Sequence, residues 1–128
     1  MKSLAAVRLL FVVAALYDGL LGLAFLLRAK DIFVWFEVTE PNHYGYVHFA
    51  ACLLITFAIM FLAVAWSPVK NRGLIPYGIL LKVSYCGVAF YHWFSAGIPN
   101  LWKPFAFIDL AFIFLFVSAL VYLVRQRQ

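Results

Sequence analysis

A continuous apolar run occupies residues 46–66, with the sequence YVHFAACLLITFAIMFLAVAW. It contains no acidic residue, lysine or arginine, and the Ser67-Pro68 pair that follows is a typical end of a helix. A helix of about 20 apolar residues crosses the roughly 30 Å of hydrocarbon in a bilayer. The run therefore predicts a transmembrane helix.

Three other apolar segments predict three more spans. They occupy residues 4–27, 74–94 and 105–124. The whole chain shares this character, since 67% of its residues are hydrophobic, 12% are charged and its mean hydropathy is +1.00. A soluble domain keeps about a quarter of its residues charged. We therefore expect residues 1–128 to form one all-α membrane domain, an antiparallel bundle of four transmembrane helices.

The first segment starts like a signal peptide, with Lys2 and Arg8 beside apolar residues. It continues through residues 19–27 without a clear cleavage site, so a membrane helix is the better prediction. The polar residues 28–45 follow and are expected to form an outer loop. The apolar and aromatic middle of this loop, residues 32–36, is expected to lie against the membrane surface.

The basic residues at the ends of the spans predict the orientation. Six fall on one side of the predicted membrane: Lys2, Arg8, Lys70, Arg72, Arg125 and Arg127. Three fall on the other: Arg28, Lys30 and Lys103. The side richer in lysine and arginine is usually cytoplasmic, which predicts that both termini lie inside. The net charge of +5 is then explained by topology and by contacts with lipid headgroups, and nucleic acid is not expected as a partner.

Two charged residues, Asp18 and Lys82, fall near the middle of predicted spans. At a rise of about 1.5 Å per residue, their depths are close enough for the lysine side chain to bridge. An unpaired charge near the bilayer centre costs about 2.5–3.5 kcal/mol, so we expect them to face the interior and pair. Tyr85 lies on the same helix face as Lys82. The pair either fixes the helix register or serves as a proton relay or counter-ion for a buried ligand.

A second polar layer is predicted near the outer surface. His48 opens the second span, His92 closes the third, Asp109 lies one turn into the fourth, and His43 belongs to the loop. Imidazole and carboxylate groups suit several transition metals, so this layer is a candidate metal site. Its spacing matches no metal motif, and the alternative is a hydrogen bond between His92 and Asp109 within an aromatic belt.

Three short stretches resemble small four-helix bacterial membrane proteins of the DoxX-like type. They are YDGLLG at residues 17–22, NRGLIPYG at residues 71–78 leading to Lys82, and FAFIDLAF at residues 105–112. The resemblance covers most of the chain. It implies a bacterial inner-membrane protein, and some members of this type stand as small subunits beside a partner in oxidoreductase complexes of sulfur and thiol metabolism. It assigns no catalytic residue.

The sequence contains no nucleophile–base arrangement and no phosphate-binding loop, so a non-enzymatic role is favoured. We expect an accessory or ligand-holding subunit in contact with lipid and with partner subunits or further copies of itself. The aromatic content of 20% suits a flat apolar ligand such as a quinone. One alternative is an oligomeric small-solute or proton-coupled transporter that uses Asp18 and Lys82. The other is a metal-dependent enzyme at the outer face.

Overall fold

The computed structural model of the protein describes residues 3–126, and this part of the chain is helical without any strand. It contains four long helices: α1, Leu4–Trp35; α2, Gly45–Trp66; α3, Ile75–Ser95; and α4, Lys103–Gln126. Short 3₁₀ helices, Arg72–Leu74 and Asn100–Trp102, lead into α3 and α4. Each of the four long segments is long and apolar enough to span a membrane. The predicted all-α class with four helices of spanning length is confirmed.

Local signals in the sequence explain where the helices begin. Ser3 caps α1, since its side chain accepts a hydrogen bond of 3.1 Å from the backbone N–H of Ala6. Pro76 and Pro104 stand in the first turns of α3 and α4, where the missing backbone N–H removes no helical hydrogen bond. The predicted second, third and fourth spans fall inside these helical segments.

The first helix continues beyond its predicted span. Its backbone leaves helical geometry at Arg28, with φ −135° and ψ 28°, and then remains helical to Trp35. Phe33 in this extension is buried, and its ring centroid lies 6.0 Å from that of Trp102. The predicted outer loop of residues 28–45 is therefore wrong in its first part, because packing of the aromatic residues holds the chain in a helix beyond the polar positions.

Two helix pairs make the closest backbone contacts, α1 with α2 and α3 with α4. A Cβ atom at Gly22 of α1 would lie 2.8 Å from the carbonyl oxygen of Ala51 and 2.9 Å from a side-chain carbon of Ile55. A Cβ atom at Gly19 would meet the Cβ of Ala58 at 3.4 Å. Small residues of this kind allow the backbones of membrane helices to approach closely.

Aromatic rings fill the space between the two pairs. Phe11 of α1 stacks on Phe116 of α4 with ring centroids 4.8 Å apart, and Phe61 of α2 lies 5.2 Å from the same ring. All three rings are fully buried. On α3, Gly78 leaves room for Phe61, because a Cβ atom there would lie 2.6 Å from the ring. The core between the pairs is thus built from large side chains, whereas small ones lie at the contact between α1 and α2.

The outward faces of the helices are apolar as well. Leu27 is 72% exposed, Trp66 84% and Phe94 79%, and large exposed side chains of this kind occur on all four helices. A monomeric soluble protein rarely exposes contiguous apolar patches of more than a few hundred Å². Lipid contact accounts for these faces in a membrane protein.

Substitution of Gly22 by alanine tests the close contact between α1 and α2. The added methyl group meets a backbone oxygen, which can move only if the helices separate, so we expect a loss of about 1–3 kcal/mol in the free energy of unfolding. The measurement is unfolding of the detergent-solubilised protein. Gly87→Ala is the matched control, because nothing lies within 4 Å of a Cβ atom at that helical position. Equal stability of the two variants would contradict the contact.

Candidate functional site

Three charged side chains meet in the core, and we call Asp18, Lys82 and Asp109 the charged cluster. The Lys82 Nζ atom donates to both oxygens of Asp18, at 2.8 and 3.0 Å, and to Oδ1 of Asp109 at 3.0 Å. Asp18 is 1% exposed, Lys82 0% and Asp109 7%. Each residue belongs to a different helix, so the cluster links α1, α3 and α4 through hydrogen-bonded ion pairs.

The surroundings of Lys82 match its charge. Its ammonium group has three N–H donors, and the three hydrogen bonds to the carboxylates use them all. The Nζ atom also lies 5.1 Å from the ring centre of Tyr17 and 5.0 Å from that of Phe112, within the range of a cation–π interaction. The positive charge of Lys82 is therefore stabilised by carboxylate oxygens and by the faces of aromatic rings, and it does not need hydration.

Two tyrosines border the charged cluster. Tyr85, expected to share a site with Asp18 and Lys82, instead donates its hydroxyl to the backbone carbonyl of Trp102 at 2.9 Å. The hydroxyl of Tyr17 is buried and has no hydrogen-bond partner within residues 3–126. The phenol groups thus extend the polar region from the charged cluster towards the connection between α3 and α4.

The structure brings Asp18 and Lys82 together and places Asp109 with them, rather than in the outer layer where the sequence argument put it. The predicted hydrogen bond between His92 and Asp109 is not formed. His92 is exposed in the last turn of α3, and its ring lies 5.2 Å from that of Tyr91. A buried carboxylate gains far more from the ammonium group of Lys82 than from an exposed imidazole, which explains its position.

The other two histidines of the predicted outer layer are also exposed. The His43 Nδ1 atom accepts a hydrogen bond of 2.9 Å from the backbone N–H of Gly45, at the start of α2. The ring of His48 lies 6.2 Å from that of Tyr44. Within residues 3–126, no group of three or more His, Cys, Asp or Glu side chains is placed to hold a metal ion. The residues of the predicted outer polar layer therefore do not lie together in one site.

One signal in the sequence points to the place of Asp109. It is an acidic residue inside a predicted span, and the cost of burying its charge demands a basic partner. Lys82 is the basic residue of the spans' interior, and an ammonium group can serve two carboxylates because it has three donors. This count of donors makes Lys82 a candidate partner for both acids, whereas the rotation of α4 about its axis decides whether Asp109 reaches it.

A patch of aromatic rings lies at the surface where α3 ends and α4 begins, and we call it the α3–α4 aromatic patch. Its members are Phe90, Trp93, Phe94 and Phe107, whose neighbouring ring centroids lie 5.7–6.0 Å apart. The Lys103 Nζ atom lies 5.0 Å from the ring centre of Trp93. Phe107 is 56% exposed, so the patch faces the surroundings of the protein.

Two open surface pockets, of about 490 and 300 Å³, lie elsewhere. The larger is lined by the turn before α3 and the smaller by the last turns of α4. Neither is lined by a residue of the charged cluster. The charged groups are therefore separated from both of these depressions.

Comparison of the chain with known protein families, with curated proteins and with solved structures finds no match. The function is therefore argued from two features, the charged cluster in the core and the aromatic surface around it.

Replacement of Lys82 by methionine tests the role of the charged cluster in stability. The variant keeps a side chain of similar length but leaves two buried carboxylates without a cation. Removal of one partner from a buried ion pair costs about 3–5 kcal/mol, and we expect a loss of that size in the free energy of unfolding. Denaturation of the purified protein in detergent provides the measurement.

The control for this experiment is Arg28→Met. Arg28 pairs with Asp31 at 2.6 Å, but both side chains are about half exposed or more, so the pair contributes at most about 1 kcal/mol. Addition of Asp18→Asn and Asp109→Asn to Lys82→Met should recover much of the lost stability, because no uncompensated charge remains. If Lys82→Met is no less stable than Arg28→Met, the cluster does not hold the helices together.

Proposed function

We propose that this chain is a non-catalytic accessory or ligand-holding subunit of a membrane complex. One observation carries the proposal: the charged side chains of the core bond to one another, while the surface around them is apolar and aromatic. Asp18 and Lys82 are almost fully buried and their polar atoms are satisfied, which suits a framework that holds helices in register. The chemistry available to a partner is that of the exposed rings.

The α3–α4 aromatic patch is the proposed contact surface. Exposed rings at the edge of the membrane provide stacking faces for a flat apolar molecule such as a quinone, or a packing surface for an apolar helix of a partner subunit. This assignment agrees with the resemblance to the DoxX-like type, and we place the protein, as those relatives are placed, in a bacterial inner membrane. Partner subunits, further copies of the chain and lipid complete its surroundings.

We further propose an antiparallel arrangement with both termini in the cytoplasm. One core cluster contains Val7 near the start of α1, Val64 near the end of α2, Ile75 at the start of α3 and Leu123 near the end of α4. The described basic residues near this end of the helices are Arg8, Lys70, Arg72 and Arg125. Lys2 and Arg127, which also favoured this orientation, lie outside the described residues. An excess of basic residues marks the cytoplasmic side.

Reporter fusions to each terminus test this orientation. A reporter that is active only in the cytoplasm should be active at both ends, because four spans return the chain to the side where it began. A reporter that requires export should be active when inserted between α1 and α2. Cytoplasmic activity at one terminus and not at the other would refute the proposed topology.

A second candidate is an oligomeric proton-coupled or small-solute carrier. The charged cluster favours it, since ionisable residues at membrane depth mark proton and ion pathways in many transporters. Asp18 and Lys82 would then form the relay, and several copies would be needed because one chain offers only four helices for a pathway.

Gentle purification from the native membrane, followed by mass spectrometry, tests the accessory role. We expect stoichiometric partner subunits or a bound quinone with the natural protein. Trp93→Ala combined with Phe94→Ala should reduce their recovery at least several-fold, because the stacking surface is lost. Phe49→Ala is the matched control, since Phe49 is 68% exposed on α2 and does not belong to the patch.

Recovery of the natural protein with nothing but lipid would count against the accessory role and favour the carrier. Measurement of proton-coupled flux in vesicles that contain Asp18→Asn would then be the decisive step. If partners are found but the patch variant still retains them, the accessory role stands and the contact surface lies elsewhere.

A further inference from the structure

The charged cluster contains an odd number of charges. Asp18 and Asp109 bring two carboxylates, and Lys82 brings one ammonium group. No other lysine or arginine within residues 3–126 forms an ion pair with either carboxylate. With all three groups ionised, the core therefore carries one unbalanced negative charge, and an isolated buried charge is so costly that such a group takes up a neutralising partner instead.

The two carboxylates differ in how tightly Lys82 holds them. Asp18 uses both oxygens, and its side chain is 1% exposed. Asp109 uses Oδ1 alone, and its side chain is 10% exposed. The other oxygen of Asp109, Oδ2, accepts no hydrogen bond from any described residue. Asp18 is thus the fixed counter-ion of Lys82, whereas Asp109 retains a free lone pair at the more accessible edge of the cluster.

We propose that Asp109 is a proton-binding site inside the membrane, which carries the one proton that balances the charged cluster. The proton arrives from water as hydronium, forms an O–H bond at Oδ2 and leaves one water molecule behind. Oδ1 continues to accept from Lys82, and the charged cluster as a whole becomes neutral. Release of the proton restores the unbalanced charge, so the ion pair between Asp109 of α4 and Lys82 of α3 changes with proton occupancy.

The groups around Asp109 fit this assignment. The hydroxyl of Tyr17 on α1 is buried without a partner in the described part of the chain, and the centre of its ring lies 5.1 Å from the Lys82 Nζ atom. The hydroxyl of Tyr85 on α3 donates to the carbonyl of Trp102 at 2.9 Å, beside the α3–α4 connection. A hydroxyl can both donate and accept a hydrogen bond, so the two phenols place polar groups beside the charged cluster.

The remaining titratable groups do not compete for this proton. Cys86 on α3 also faces the cluster, but its thiol donates to the backbone carbonyl of Ala106 at 3.4 Å. On α2, the titratable side chains are all exposed: Tyr46, His48 and Cys52. Asp109 is therefore the acceptor that the geometry leaves available.

Infrared difference spectroscopy of the full chain in lipid vesicles tests the assignment. As the pH falls, we expect growth of a carbonyl band at the frequency of a carboxylic acid shielded from water. Asp109→Asn should abolish this band, whereas Asp31→Asn should retain it, since Asp31 is an exposed partner of Arg28. The sample is the purified chain without partners, so the result is independent of whether the accessory role is correct.

Asp109→Glu provides a second variant that keeps the carboxyl group and does not depend on the folding of Asp109→Asn. The shielded band should persist in Asp109→Glu and move in frequency. Absence of such a band from the natural protein at every pH would overturn the proposal. So would a band that Asp109→Glu leaves unmoved, or one that disappears in Asp18→Asn while Asp109→Asn retains it.

Discussion

The ammonium group of Lys82 lies in an apolar core, where a charge without a partner costs several kcal/mol, and carboxylates on α1 and α4 hold it there. The positions of three helices depend on this arrangement. A rotation of any of them would separate a charge from its counter-charge in a medium that offers no water to replace it. The ion pairs thus specify register more strictly than apolar packing does, because Leu, Phe and Val side chains tolerate many arrangements.

The rest of the fold is arranged around this constraint. Small residues bring α1 close to α2, and Gly22 is the clearest example because its Cα faces a backbone carbonyl. Between the two helix pairs the spacing is set by large rings, of which Phe11 and Phe116 stack in the centre. Two close pairs joined by aromatic rings leave room for the long side chain of Lys82 to reach both acids.

The functional proposals follow from the same division between the core and the surface. The polar groups of the charged cluster are buried, so the chain presents aromatic and aliphatic faces to lipid and to any partner. The one unbalanced charge of the core is the exception, because the proposed protonation of Asp109 depends on the pH of the surrounding water. The two proposals are compatible, because partner contact is assigned to the α3–α4 aromatic patch and proton binding to Asp109.

The sequence by itself determined the four helices of spanning length and the burial of Asp18 and Lys82, because hydropathy and the cost of a charge in lipid act locally. It did not determine the helical extension to Trp35, which depends on the packing of Phe33 against Trp102, a residue far along the chain. Only the tertiary structure decided that Asp109 joins Lys82 rather than His92. The depth of a residue along its helix can be predicted from the sequence, whereas the rotation of each helix about its axis is set by contacts with the other helices.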